Sequence, residues 1–411
     1  MRRTINLFLL FMVAASGSWA GDAYRLADLE QLALRENPAL RAAEQSVRMA
    51  EAAVTGAAAY PNPELEYLSG TARPRLAGPA AGTVRSTTLT QPLDLPWRRQ
   101  PRIAAAEAGV QAAQAGYVAF RAGFLATLRL RYFQVLRRDA EKLRAQEDAA
   151  LMEKVRSRIA LRVNTGEAPR FELIKVDAEM LNAQKTAQAA EIRLGQARAA
   201  LRQMVGQGLP DSFRLLEELH RIPEPPPLAE VRQVLHQHSP ALAQVRAETV
   251  RAERLLDLER AQRWPALALK AGVDEEPEMR THRIGLVLSI PLWDRRQGPV
   301  DEAAAQLARA RHALAAESFS LDQGLEIAYQ QYDIAEAQVT ALESGIVRQA
   351  EAALKVAEAA YRFGERGFLE VLDAQRVFRA ARSELIDARF ELAAAWVEIE
   401  RLRAAAEGVK S

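Results

Sequence analysis

Apolar residues recur every seven positions along the C-terminal part of the chain, which predicts a long helix packed against a partner helix. A strict seven-residue repeat keeps one seam of a helix turned towards its partner and imposes a left-handed supercoil. The same repeat occurs 198 positions earlier, over residues 173–204. The C-terminal seam consists of Val371, Phe378, Leu385, Leu392 and Ile399, together with Ala374, Ala381, Ala388, Ala395 and Leu402.

A similar seam predicts that the helix before it is also long. This seam runs through Leu325, Tyr332, Val339 and Ile346. In the first half of the chain we expect one continuous helix from about Arg98 to Asn164. Such a helix would be roughly 100 Å long at about 1.5 Å per residue. Helices of this length form hairpins that are too extended for a globular core.

Two segments in each half alternate between apolar and polar residues, which predicts β-strands with one apolar face. The predicted strands span about residues 64–70, 84–93, 266–273 and 283–291. The clearest alternation places Ile284, Leu286, Leu288 and Ile290 on one face. Segments of about ten residues with one apolar face are what a membrane-spanning barrel strand requires.

The two halves of the chain share one plan: helix, strand, loop, strand, very long helix, turn and long helix. Short matches recur in the same order, such as Asn37–Leu40 with Ser239–Leu242 and Gly166-Glu167 with Gly364-Glu365. A repeated plan of this kind indicates a duplicated structural unit. We predict a first repeat over 21–222 with a helical hairpin at about 98–206, a proline-rich linker at 223–227, and a second repeat over 228–411 with a hairpin at about 295–404.

Four strands of one chain cannot close into a barrel, and open strand edges are not tolerated in lipid. The edges must therefore pair with other copies of the chain. The predicted fold is mainly α with a membrane β-barrel portion, in which a trimer forms a 12-stranded barrel on a long α-helical barrel. Trp97 and Trp293 follow two of the strands, where they would belong either to an interfacial aromatic belt or to the packing of the chain.

The start of the chain predicts export. Arg2 and Arg3 precede an apolar run, and Ser18-Trp19-Ala20 forms a small-x-small cleavage pattern, so we interpret residues 1–20 as a signal peptide. The 411 residues include no cysteine, which excludes disulfides, thiolate metal sites and a lipid anchor on cysteine. Lys and Arg number 55 against 53 Asp and Glu, so charge gives no reason to expect a nucleic-acid partner.

No constellation of residues indicates catalysis. A phosphate-binding loop, a nucleophile elbow and a carboxylate pair with a catalytic arrangement are all missing from the sequence. The five histidines are scattered, and His236 and His238 would point to different faces of a helix. We therefore expect a protein that is not an enzyme, with no cofactor and no resident metal site.

Three motifs give the chain a resemblance to the TolC-like outer-membrane efflux proteins. They are Pro61-Asn62-Pro63-Glu64-Leu65, the run from Gln91 to Glu107, and the run from Tyr361 to Gln375. The first two are most similar to the CzcC-type branch that serves heavy-metal pumps. The resemblance implies a homotrimeric channel in the cell outer membrane, in contact with its lipid, whose helical barrel projects into the periplasm. It also implies a passive conduit that docks on a periplasmic adaptor and an inner-membrane pump, with a divalent heavy-metal cation as cargo.

The resemblance also implies a periplasmic gate at Glu370 and Asp373, since acidic residues constrict the entrance in this family. The two residues lie one turn apart on one predicted helix face. Three copies would place six carboxylates around a narrow aqueous mouth and favour cations. The alternative is a solvated acidic pair at a helix start, where acids are favoured.

The turns at the ends of the two hairpins are the predicted contacts of the adaptor. The residues concerned are Gly166, Glu167, Gly364, Glu365 and Gly367. The same turns could be mere helix reversals, because glycine is the usual residue there. Two wider alternatives also remain open: the same duct for drugs or secreted proteins, and a periplasmic coiled-coil adaptor or scaffold without membrane strands.

Overall fold

The computed structural model describes residues 23–73, 75 and 80–403. The predicted signal peptide and the C-terminal tail after Arg403 lie outside the described residues. The first half contains β1 (Ala23–Tyr24), α1 (Leu26–Glu36), α2 (Pro38–Ala58), β2 (Glu64–Ala72), β3 (Gly82–Leu93), α3 (Pro96–Asn164), α4 (Arg170–Val205) and β4 (Arg214–Leu215). The second half contains α5 (Leu228–His238), α6 (Pro240–Ala261), β5 (Ala266–Glu275), β6 (Arg280–Ser289), α7 (Gln297–Ala341), a π-helical turn (Leu342–Ile346), α8 (Val347–Arg362) and α9 (Phe368–Arg403).

The fold is mainly helical, and apart from β1, β4 and the π-helical turn both halves follow the same order of elements. In each half two helices precede the first long strand, where the sequence predicts one. Asn37 ends α1 and caps α2, because its side chain accepts hydrogen bonds from the backbone N–H groups of Ala39 and Leu40 at 2.8 and 3.4 Å. Ser239 caps α6 in the same way, and a proline follows each cap at the first helical position, where its fixed φ and missing donor do no harm.

The long helices pack side by side through the seams that the seven-residue repeat predicts. All twenty seam residues on α4 and α9 are buried or half-buried, and Val176, Leu201 and Ile399 are fully buried. Helix α4 packs along α3, whereas α9 packs along α7, α8 and α3. The two hairpins of one chain therefore form one continuous helical wall.

The four long strands form one antiparallel sheet in the order β2-β3-β5-β6. The hairpins of the two halves meet at β3 and β5, where Leu89 is the register partner of Ala271. Strands β2 and β6 are the sheet edges, and neither edge has a second partner strand among the described residues. One chain thus supplies an open four-stranded sheet.

All four strands differ from their predicted bounds, and β2 and β5 each end two residues later than predicted, at Ala72 and Glu275. Strand β3 begins at Gly82, two residues before the predicted start, and β6 spans Arg280–Ser289 where 283–291 is predicted. Strand β6 starts early because the Glu276 N–H donates to the Met279 carbonyl at 2.8 Å and closes a tight turn. It ends early because Pro291 has no N–H for the sheet ladder.

The π-helical turn corrects one predicted seam. Ile346, predicted to continue the seam of α7, is 49% exposed, whereas Leu342 and Ala350 are buried. From Phe124 and Leu321 to Ala145 and Leu342, buried positions of the two halves correspond at an offset of 197 residues, whereas Met152 and Ala350 correspond at 198. The second half therefore has one extra residue between these positions. The wide π turn accommodates this residue, so that the buried positions after it again face α9.

Candidate functional site

The register of the sheet gathers large apolar side chains on one face. Residues that pair across antiparallel strands share a face, so the pairs Leu65–Leu89 and Leu269–Leu286 point the same way. This surface is called the apolar face below. Its large side chains are exposed: Leu65, Tyr67, Leu89, Leu93, Leu269, Ile284, Leu286 and Leu288.

The opposite face of the sheet, called the polar face below, carries charged residues such as Glu66 and Lys270, and along β3 it is less exposed than the apolar face. Along β3, Thr88 is 8% exposed, while its neighbour Leu89 on the apolar face is 46% exposed. Ser86 donates to the Asp274 carboxylate at 2.6 Å, and Arg283 forms an ion pair with Asp274. A sheet in a water-soluble protein buries its apolar face and exposes its polar face. An exposed apolar face opposite a face with charged residues instead indicates lipid on one side and water on the other.

Three tryptophans and Tyr60 lie at the end of the sheet that joins the helices. Trp97, Trp264 and Trp293 are 52%, 63% and 93% exposed, and Tyr60 is 70% exposed. Trp293 therefore packs little within the described chain, whereas Trp97 is about half covered. Exposed tryptophan and tyrosine at one end of an apolar surface are typical of a membrane interface.

A buried carboxylate fixes the sheet to the helical wall. The Asp94 side chain is 4% exposed and lies 2.5 Å from Arg102 and 3.4 Å from Arg99. The same arginines donate to the last carbonyls of α2, from Arg102 to Ala57 and from Arg99 to Ala58, both at 2.7 Å. One acidic residue thus orients two arginines that hold the end of α2 against the start of α3.

The far ends of the two hairpins, called the tip turns below, share the same pattern of backbone hydrogen bonds. At the first, the Glu167 N–H donates to the Arg162 carbonyl and the Gly166 N–H donates to the Val163 carbonyl. The second repeats the pattern 198 positions later, and Gly166 and Gly364 have φ values of 80° and 75°. This is the Schellman ending of a helix, which requires a left-handed residue. The two glycines are therefore explained by helix reversal.

Replacing Gly364 with alanine is expected to destabilise the second tip turn by about 1 kcal/mol, because a Cβ is strained in the left-handed region. Faster hydrogen exchange of the amides around residues 360–368 would show it. Gly367→Ala is the matched control, since Gly367 has no positive φ and a Cβ there would have no described atom within 4 Å. Equal effects of the two substitutions would contradict the assignment.

The two hairpins are joined just above the tip turns. The Tyr361 hydroxyl donates to the Glu172 carboxylate at 3.0 Å, and the Arg162 guanidinium lies 4.9 Å from the centre of the Tyr361 ring. Burial and the hydrogen bond to Glu172 raise the pKa of Tyr361 to about 12. Its donor contact is thus fully present below the usual tyrosine pKa of about 10 and is lost as the pH rises through about 12. An apolar cluster that includes Phe368 and Leu372 packs beside it.

Glu370 and Asp373 lie on the same side of α9 and line one shallow groove between α8 and α9. Their surroundings differ. Glu370 forms an ion pair with Arg366 one turn earlier, whereas Asp373 has no ion pair or hydrogen bond with any described residue. Both residues are exposed, and the corresponding positions of the first half, Glu172 and Lys175, do not repeat the pair.

A layer of charged residues that sequence reasoning missed lies further up the hairpins. Glu179 of α4 forms ion pairs with Arg376 and Arg379 of α9, the second at 3.6 Å. Burial raises the pKa of Glu179, but the hydrogen bonds and charges of the two arginines outweigh burial and hold the pKa below its usual value. The residue types do not indicate this layer, because Glu and Arg recur along all the long helices.

The described part of the chain contains no group of three or more His, Cys, Asp or Glu residues arranged to hold a metal ion. His236, one of the scattered histidines, lies 2.9 Å from Asp322 and joins α5 to α7. None of the described helices has a segment that is long and apolar enough to cross a membrane.

Comparisons with known proteins agree on one group. The family described as Outer membrane efflux protein matches residues 29–207 and 231–405, one match in each half. The cobalt-zinc-cadmium resistance protein CzcC of Cupriavidus metallidurans is 28% identical over 354 residues, which cover 85% of this chain and 83% of CzcC. The nickel-cobalt-cadmium resistance protein NccC of Alcaligenes xylosoxydans xylosoxydans is 24% identical over 74% of this chain and 69% of NccC.

A solved structure shares the fold. The outer membrane protein VceC of Vibrio cholerae superimposes with a TM-score of 0.76 at 19% identity, over 92% of this chain and 95% of VceC. Each half of the chain consists of two helices, two strands and a long helical hairpin. This fold therefore also occurs in a crystallised outer membrane protein.

Proposed function

The chain belongs to the outer membrane efflux protein family, and from this premise we propose that three copies form one continuous passive duct through the outer membrane and periplasm. The chain is an outer-membrane efflux channel, and its family consists of channels rather than enzymes. In the proposed assembly, a homotrimer with a 12-stranded barrel receives its cargo from a periplasmic adaptor and an inner-membrane pump.

The observation that carries the proposal is the sheet with an exposed apolar face and two unpaired edges. Unpaired backbone N–H and C=O groups in lipid cost several kcal/mol each, so both edges require partner strands. The polar face then lines a water-filled interior. The order β2-β3-β5-β6 leaves β6 of one copy to pair with β2 of the next, so that repetition of one contact closes a ring.

An exposed apolar stripe on α4 supports assembly along the helices as well. Phe171, Ile174, Leu181 and Ile192 are each about 60% exposed, between 59% and 61%. They recur at spacings that place them on one side of the helix. Exposed apolar stripes of this kind mark contacts with another protein, and the neighbouring copy of the chain is the partner that a closed helical barrel requires.

The tip turns are the proposed docking surface for the adaptor. Phe363 is 79% exposed and Leu161 is 65% exposed at the ends of α8 and α3, so apolar surface is available where the hairpins end. The groove with Glu370 and Asp373 lies beside these turns, and we assign it to the entrance of the duct. Divalent heavy-metal cations are the proposed cargo, supported by the names of CzcC and NccC and by the acidic groove.

The function is tested by the oligomeric state and conductance of detergent-purified protein in a planar bilayer. We expect a trimer that forms cation-selective pores. A water-soluble monomer or dimer without conductance would show that the strands do not span lipid, and the coiled-coil scaffold would then replace the duct. Drug or protein transport by the same trimer would leave the duct intact and change only its cargo.

A further inference from the structure

Two arginines stand where the apolar face ends, at the turns farthest from the helices. Register places Ser69, Arg85, Glu275 and Arg280 in one row across all four strands, called the outer row below. The row lies eight residues along β3 from Leu93, about 26 Å at roughly 3.3 Å per residue. At a strand tilt of about 35–45°, this length spans roughly 19–22 Å along the barrel axis, which is close to the about 25 Å apolar band of a membrane barrel.

The guanidinium groups of the outer row are available for a ligand. Arg85 is exposed and forms no ion pair or hydrogen bond with any described residue. The Arg280 side chain is 63% exposed, and its contact with Glu275 spans 3.4 Å, so it is an exposed pair that contributes little stability. Arg283 differs, because it lies on the polar face and its ion-pair partner Asp274 is 15% exposed.

The chemistry that fits this row is a phosphate group at the level of the lipid head groups. Arginine presents donors in a planar fork that matches phosphate oxygens. Two guanidinium groups stand against the single carboxylate of Glu275, so the row keeps a net positive charge. The hydroxyl group of Ser69 and the ring of His282, which pairs with Val273 in the next row, add donors beside it.

We propose that the outer row of each chain binds the phosphate group of a lipid in the outer leaflet, through Arg85 and Arg280. The inference rests on the proposed function, because only a sheet that spans the membrane holds this row at the head groups. Apolar residues below the row, such as Ile284 and Leu65, would contact the acyl chains of the same lipid.

The test is titration of the full-length chain, in neutral detergent, with dioctanoyl phosphatidic acid, dioctanoylglycerol and inorganic phosphate. The wild type is expected to bind phosphatidic acid and to bind the other two at least tenfold more weakly. Replacing both arginines, Arg85→Gln with Arg280→Gln, is expected to weaken phosphatidic acid about 25-fold, near fivefold for each arginine. Lys270→Gln is the control, since it removes a cation from β5 on the polar face and should leave binding unchanged.

Three results would overturn the lipid site. They are unchanged affinity in the double variant, an equal loss in Lys270→Gln, and inorganic phosphate that binds as tightly as phosphatidic acid. Conductance of the same preparations separates this failure from failure of the duct. A conducting wild type with any of these results removes the lipid site alone, whereas a wild type without conductance removes the duct on which the site rests.

Discussion

Replacing Leu286 with arginine is expected to destabilise the membrane-inserted sheet by roughly 1–3 kcal/mol per chain, because arginine on the lipid face costs about 2–4 kcal/mol at mid-bilayer and less towards the interface. Leu286 is 66% exposed on the apolar face, with Leu269 opposite and Ile284 and Leu288 on either side. In a trimer the cost applies three times to one barrel. Urea titration of protein folded into phospholipid vesicles would measure the loss, together with the temperature at which the oligomer dissociates on a gel.

Val287→Arg is the matched control, because it makes a similar change at the next position. Val287 pairs with Ala268 and lies on the polar face, where arginine would be surrounded by water. We expect a change of less than about 0.5 kcal/mol, as for ordinary surface substitutions. The membrane assignment of the apolar face would be wrong if Leu286→Arg were tolerated as well as Val287→Arg. A larger loss in Val287→Arg would reverse the two faces.

Periodicity in the sequence predicts those parts of the fold in which one side of an element is always buried or always in lipid. The seam of α9 and the alternation of β6 are of this kind, because each position has a fixed direction relative to the next. The pairing of β3 with β5 is different. It joins the two halves of the chain, and no local pattern specifies which strands become neighbours.

Single-residue insertions show where periodicity stops being sufficient. A seven-residue count through Tyr332 and Val339 predicts Ile346 in the seam, but the π turn moves the buried position on by one residue. The offset between the halves carries this information, because Arg98 and Arg295 are 197 residues apart while Gly166 and Gly364 are 198 apart. Glu343 in the π turn forms an ion pair with Arg389 of α9 at 2.7 Å. This contact joins the π turn, which contains the extra residue, to α9.

The candidate entrance could be predicted only in part, because the sequence shows the spacing of its two acids but not their contacts. The one-turn spacing of Glu370 and Asp373 is visible in the sequence and places them in one groove. Their partners are not visible in the same way. The Tyr361–Glu172 contact joins residues 189 positions apart, and the local pair Arg366–Glu370 depends on the path of the tip turn. Contacts between hairpins follow from the tertiary arrangement, which periodicity does not encode.

Replacing Glu370 and Asp373 with alanine is expected to lower the cation-over-anion permeability ratio about fivefold and to raise leak through the duct. Two unit charges about 4 Å apart interact by about 1 kcal/mol in water. Because about 1 kcal/mol corresponds to about a fivefold ratio, removal of the carboxylate ring should change the preference for cations by about this factor. Mutual repulsion between the carboxylates would also bias the gate at the entrance of the duct, so their removal should change the leak. Ion selectivity and conductance of single channels in a planar bilayer would measure both effects.

The local contacts predict unequal shares for the two acids. The Arg366 guanidinium compensates the Glu370 carboxylate, whereas Asp373 has no ion-pair partner among the described residues. Asp373→Ala alone should therefore lower cation selectivity more than Glu370→Ala alone, and Arg366→Ala should raise it. Glu167→Ala with Glu365→Ala removes the same number of charges from the tip turns and is the control. Unchanged conductance and selectivity in the Glu370 and Asp373 double variant would exclude the gate, because a solvated acidic pair at a helix start has no access to the ion path.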